Sequence, residues 1–170
     1  MTDLATVHHD DLAAADRDGL ERAIALARLA RARGDHPFGS VVVTADGRSA
    51  EGLNSVVTRR DPTGHAETNV VRAASAAFSP AELAGATLYT STEPCAMCAG
   101  AIYWSGIGRV VFALSEADLR AIVDEQEGVP TLDLPSRDVF ARGGRPVEVV
   151  GPTTTDGASA VHDGFWGPAA

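Results

Sequence analysis

The sequence predicts an α/β fold, a three-layer α/β/α arrangement around a five-stranded mixed sheet. Three observations carry it. Short β-branched runs such as Ser40-Val41-Val42-Val43-Thr44 and Arg109-Val110-Val111-Phe112-Ala113 alternate with stretches whose apolar residues recur at helical spacing. Asp46-Gly47 marks a hairpin turn, so the first two strands pair antiparallel. The third and fourth strands are joined through a helix, which favours parallel pairing with a right-handed crossover.

In chain order, residues 1–15 read as a loosely docked extension. The first helix begins near Asp16 or Asp18, because Asp18 with Glu21 three positions on forms a capping-box pattern. Leu20, Ala23, Ile24, Ala27 and Ala30 give it an apolar face, and Gly34 stops it. The first strand covers Ser40–Thr44 and the second runs from Ser49 to Asn54. Thr58 to Gly64 is loop. A helix starts at about His65, continues through Val70, Val71, Ala74 and Ala77, and is broken by Ser79-Pro80. Glu82-Leu83-Ala84-Gly85 leads into the third strand, Ala86 to Ser91. Pro94 suits the first turn of a helix carrying Cys95 and Cys98 to about Trp104, with Gly106 and Gly108 ending it. The fourth strand follows at Arg109–Ala113, then a helix from Glu116 to about Asp124. Residues 126–145 give no clear pattern, and Pro146–Val150 reads as the fifth strand. The 170 residues are expected to form a single domain, 1–170, with 151–170 as a C-terminal lid or tail.

The net charge is −9, and every basic residue is Arg. Arg binds phosphate well, yet the overall acidity weighs against a polyanionic partner and favours a small, weakly charged substrate. Met1 to Asp18 holds acidic residues and two His in place of a signal peptide's apolar run, and no stretch is long enough to span a membrane. The expectation is a cytoplasmic protein that binds neither nucleic acid nor membrane. In that setting the two cysteines, spaced Cys-x-x-Cys, are metal-binding or redox-active.

The chemistry centres on His65-Ala66-Glu67 and Glu93-Pro94-Cys95-Ala96-Met97-Cys98. A tetrahedral zinc held by one His and two Cys keeps a fourth position for water, and a carboxylate that is not a ligand can move that water's protons. Cys95 and Cys98, three apart at a helix start, share a face, and the positive helix end favours their thiolates. His65 and Glu67 lie about 200° apart around a helix axis, so one can hold metal while the other reaches the water. Alone, each piece has an ordinary reading: a helix-opening His, a redox pair, a first-turn glutamate. Jointly, in these strand–helix contexts, they point to one hydrolytic site. A structural zinc would need a fourth protein ligand, and His8, His9, His36 and His162 are expected at the surface or in the tails.

From Pro37 to about Phe112 the sequence resembles the cytidine-deaminase superfamily, in its branch of bacterial guanine deaminases and related base deaminases. The matching pieces are Pro37–Val41, Asn54, Asp61–Glu67, Leu88–Ser91 and Glu93–Trp104. The resemblance implies Zn2+ held by His65, Cys95 and Cys98, with Glu67 as the catalytic proton shuttle. It also implies a homodimer, Asn54 hydrogen-bonding the substrate ring and Phe38 packing against it. Ala66 and Trp104, from the matched motifs, with Asp118, Phe165 and Trp166, complete the expected substrate contacts. Glu93 reads better as a support residue at the helix start. The reaction implied is hydrolytic release of ammonia from a free nucleobase, guanine first and a cytosine- or aminotriazine-type ring second. Deamination of wobble adenosine in tRNA is a further alternative, through Glu93–Ala101 and Gly108–Phe112. A non-enzymatic zinc-stabilised binding protein stands last, since Glu67 is retained. The sequence departs from guanine deaminases after the fourth strand, where Ile122–Glu127 brings acids without an aromatic partner; Asp118, Asp124, Glu125 and Glu127 are the candidate carboxylates. Asp163-Gly164-Phe165-Trp166 is the candidate lid, over its own pocket or a neighbour's.

Overall fold

The computed structural model describes residues 6–124 and 132–166. The elements are α1 (Ala14–Ala32), β1 (Gly39–Val43), β2 (Ser49–Leu53), α2 (Val56–Arg59), α3 (Ala66–Ala77), α4 (Pro80–Ala84), β3 (Thr87–Thr92), α5 (Ala96–Ser105), β4 (Arg109–Leu114), α6 (Glu116–Asp124), α7 (Ser136–Phe140) and β5 (Glu148–Val150). The sheet order is β2-β1-β3-β4-β5. β1 runs antiparallel to β2 and β3, while β3–β4 and β4–β5 are parallel. The mixed five-stranded sheet agrees with the sequence-based fold class.

Side-chain alternation along the strands splits the core into two layers. Val41, Tyr89 and Val111 face Leu20, Ile24 and Ala27 of α1. Val42, Leu88 and Val110 face Val70, Val71 and Ala74 of α3 and Ile102 of α5. Two glycines let helices lie directly on the sheet. A Cβ at Gly39 would sit 2.4 Å from the Ala23 oxygen, and one at Gly52 would sit 2.3 Å from the Ala66 oxygen. Gly52 therefore sets the depth of the first turn of α3, next to His65 and Glu67.

Several boundaries differ from the sequence reading. α1 opens at Ala14 behind Ala13, which makes no side-chain cap, so Asp18 and Glu21 lie inside the helix and form no capping box. Asp16 goes instead to a tertiary partner, accepting from Arg109 at 2.6 Å and from the Tyr89 hydroxyl at 3.1 Å. Burial raises the Asp16 carboxyl, but the Arg109 and Tyr89 bonds outweigh it and hold it below the usual range. A capping box does form at Ser79–Glu82, turning what reads as a helix breaker into the start of α4. Pro94 stands just before the cap of α5 and not in its first turn. Residues 136–140, within the stretch that gave no pattern, form α7, and β5 is shortened to Glu148–Val150. Among the described residues no helix is long and apolar enough to cross a membrane.

Candidate active site

α3 and α5 begin side by side, and the residue capping each is a candidate ligand. His65 is the N-cap of α3 (φ −67°, ψ 154°) and Cys95 the N-cap of α5 (φ −62°, ψ 169°). His65 Nδ1 lies 3.6 Å from Cys95 Sγ and 3.5 Å from Cys98 Sγ, and the sulfurs are 3.5 Å apart. Tetrahedral zinc, with Zn–S about 2.3 Å and Zn–N about 2.0 Å, asks for about 3.8 Å between sulfurs and about 3.5 Å from sulfur to nitrogen. The three atoms thus fit one zinc and leave its fourth position to a non-protein ligand. The Cys98 and His65 bonds pull the Cys95 thiol down to about 4, against its burial, which makes it a ready thiolate ligand.

Glu67 is buried, with Oε2 3.5 Å from Cys98 Sγ and Oε1 accepting from Thr90 Oγ1 at 3.0 Å. Burial pushes its carboxyl up, opposed by the charge of His65. The expected 200° separation of His65 and Glu67 does not govern the site. As the cap, His65 leaves the helical rotation, so both side chains reach Cys98.

Asn54 is fully buried. Its Oδ1 accepts from Val56 N at 3.1 Å, while Nδ2 has no partner among the described residues. Phe38 precedes β1, and its carbonyl accepts from Asn54 N at 3.1 Å. Ala66 is buried beneath β2, its carbonyl against Gly52.

The tail reaches its own chain. Arg31 donates to the carbonyls of Val161 and Asp163, both at 2.7 Å, and the Phe165 and Trp166 rings lie 6.0 and 5.3 Å from that of His36. Trp166 also lies 6.0 Å from the Phe38 ring.

The other expected residues are placed as follows. Trp104 is 85% exposed on α5, whose orientation turns Cys98 inward and Trp104 outward. Asp118 is exposed and caps α6 through Ser115, whose hydroxyl donates to it at 2.6 Å and accepts from its backbone N–H at 3.0 Å. His162 is buried against Phe38 and Trp166, and His36 is half-buried beside the tail rings, so neither is a free surface residue. Glu125 and Glu127, with the Asp124 side chain, lie outside the described residues.

Residues 14–114 match the cytidine and deoxycytidylate deaminase zinc-binding region. The chain belongs to that family. It is 40% identical over 156 residues to the probable cytosine deaminase of Schizosaccharomyces pombe, covering 92% of this chain and 95% of that one. It is 45% identical to the guanine deaminase of Bacillus subtilis over 82 residues, 48% of this chain and 53% of that one. In three dimensions it resembles the guanine deaminase from Nitrosomonas europaea, with a TM-score of 0.71 at 30% identity over 91% of this chain and 85% of that one. The protein is therefore a zinc-dependent deaminase.

Of two supports in this deaminase, one was not legible in the sequence and the other was expected without its partners. Thr90 holds Glu67, and only the register of β3 against β1 brings it there. Glu93, expected as a support, accepts from Glu116 N at 3.2 Å and from Ser136 N and Oγ at 2.9 and 2.7 Å. It thereby ties the starts of α6 and α7 to the strand end that carries Cys95. The only signal for this was a glutamate two residues before the cysteine pair.

Proposed function

We propose that this deaminase releases ammonia from a free nucleobase, and that its ring is a cytosine-type aminopyrimidine. The observation that carries the choice of ring is the likeness to the S. pombe probable cytosine deaminase, which extends over 92% of the chain, well beyond the zinc-binding region. The N. europaea guanine deaminase resembles the chain over a similar span, which keeps guanine as the second reading.

His65, Cys95 and Cys98 would hold the zinc, which would supply Lewis-acid activation of the attacking water. Glu67 would take one proton of that water and pass it to the ring nitrogen beside the amino carbon. It would then take the proton of the newly added hydroxyl and pass it to the amine, which leaves as ammonia while the ring carbon becomes a carbonyl. The Glu67 carboxyl, raised by burial and held by the Thr90 hydroxyl, suits a group that both accepts and returns a proton. Asn54 donates through Nδ2 to an acceptor on the ring edge. Phe38 packs on the ring face, Ala66 lines the floor, and Phe165 and Trp166 close the pocket within the same chain.

The reading includes a single cytoplasmic domain that works as a homodimer. Met97 and Trp104, 37% and 85% exposed, stand seven residues apart on one face of α5, and a second copy would cover them. Sedimentation of Trp104→Glu against the parent tests this; a dimer for both proteins would remove α5 from the interface.

The substrate test is ammonia release from cytosine, guanine, adenine and an aminotriazine by the zinc-loaded protein. Cytosine is expected to have the highest kcat/KM. A higher value for guanine would replace the ring, and turnover of none would overturn the reading.

A further inference from the structure

Arg33 and Asp35 follow α1, and no sequence motif marked them. The Asp35 side chain is fully buried although it carries charge. Stripping a carboxylate of water is costly unless donors replace the solvent. Here four do. Oδ1 accepts from Val57 N at 3.0 Å and Thr58 N at 2.9 Å, and Oδ2 accepts from Thr58 Oγ1 and Arg33 Nε, both at 2.8 Å.

Those partners belong to α2, a single turn that cannot hold its shape alone in water. Its first backbone N–H groups have no intrahelical acceptor. Val56 N is taken by Asn54 Oδ1, and Val57 N and Thr58 N by Asp35 Oδ1. The same guanidinium that meets Asp35 also donates from Nη2 to the Asn54 carbonyl at 2.6 Å. One planar, always-charged group thus ties the carboxylate to the peptide of Asn54.

We propose that Arg33 and Asp35 are positioning residues for the Asn54 amide, fixing it so that its Nδ2 donors and not its oxygen meet the bound base. This rests on the reading of Asn54 as a ring contact. With Oδ1 spent on α2, the ring edge opposite Asn54 must present an acceptor, a carbonyl oxygen or an unprotonated ring nitrogen. An edge offering N–H meets a second donor and is rejected.

A double-mutant cycle on the zinc-loaded full chain, with cytosine and guanine as probes, tests this. The variants are Arg33→Met, Asn54→Ala and both together. The Arg33 side chain is 46% exposed, so its truncation leaves the core intact. Arg33→Met is expected to raise KM about tenfold with kcat within about threefold, at unchanged zinc content and with a lower unfolding midpoint, because the buried Asp35 carboxylate loses its cationic donor. In the Asn54→Ala background the same change is expected to cost less than about twofold. Asp35→Asn keeps an oxygen for the α2 N–H groups and turns an amino group toward Arg33, so it is expected to reproduce the KM effect. Equal losses in both backgrounds, or no loss from Arg33→Met, would overturn the positioning role while leaving Asn54 as a contact. A silent Asn54→Ala would overturn the contact itself, and the positioning role with it.

Discussion

In the proposed reaction, Glu67 and the atoms around it decide whether the site can turn over. Its carboxyl sits out of solvent, 3.5 Å from the Cys98 sulfur and 3.0 Å from the Thr90 hydroxyl that donates to it. Glu67→Gln keeps the shape and removes the base. The expected result is a loss of about 10²–10⁴-fold in kcat with about one zinc per chain retained, read by ammonia release and metal analysis. Loss of the metal would make Glu67 a ligand instead. Thr90→Val removes the support of Glu67 together with the acceptor of the Ser40 hydroxyl, and a smaller loss, about tenfold in kcat, is expected from the same assay.

At the scale of the elements, the site depends on how closely α3 lies on β2. Gly52→Ala would force its methyl to 2.3 Å from the Ala66 oxygen and 2.6 Å from Val70 N, both backbone atoms that cannot turn aside. Such overpacking costs about 2 kcal/mol. Because the displaced turn follows His65 directly, the unfolding midpoint should fall and zinc affinity with it, measurable by calorimetry and chelator competition. The tail is held differently, by Arg31 on two carbonyls and by rings on His36 and Phe38. Trp166→Ala leaves the zinc centre untouched and is expected to raise KM for the base; unchanged steady-state kinetics would remove the tail from the pocket wall.

The whole molecule should show a dependence on pH that the zinc centre does not explain. His162 is buried, and its Nδ1 accepts from Trp166 Nε1 at 3.2 Å. Burial, and then the charge of Arg31, push it down from 6.5 to about 4, with Asp163 pulling the other way. Between those values the unfolded chain binds a proton that the folded chain refuses. Stability therefore falls as pH drops from about 6.5 to about 4, by up to about 3 kcal/mol from this group, and is level with respect to it above that window. His162→Gln should flatten this part of the slope in denaturant titrations at pH 5 and 7. Chelating the zinc should lower the unfolding midpoint at either pH, because the metal binds the folded chain alone.

The sequence by itself determined the sheet, the two helix starts and the zinc ligands, because alternation, Gly-rich turns and His-x-Glu with Cys-x-x-Cys are local patterns. Each depends on residues within a few positions of one another, so the spacing was enough. Tertiary structure alone decided what acts across the chain. Asp16 looked like part of a helix start and is the partner of Arg109, 93 residues away. Trp104 lay within a matched motif, but the orientation of α5 turns it to the surface. His162 sat in a polar tail and is enclosed by Phe38 and Trp166. Arg33 and Asp35 lie outside the matched pieces, and Thr90 lies in one that marks no role for it, since what they contact is set by how α1 and β3 meet the ends of β1 and β2. The reason is one of range: backbone propensity and ligand spacing are written over a few residues, whereas the burial that fixes a charge, a ring or an amide exists only after distant segments have closed around it.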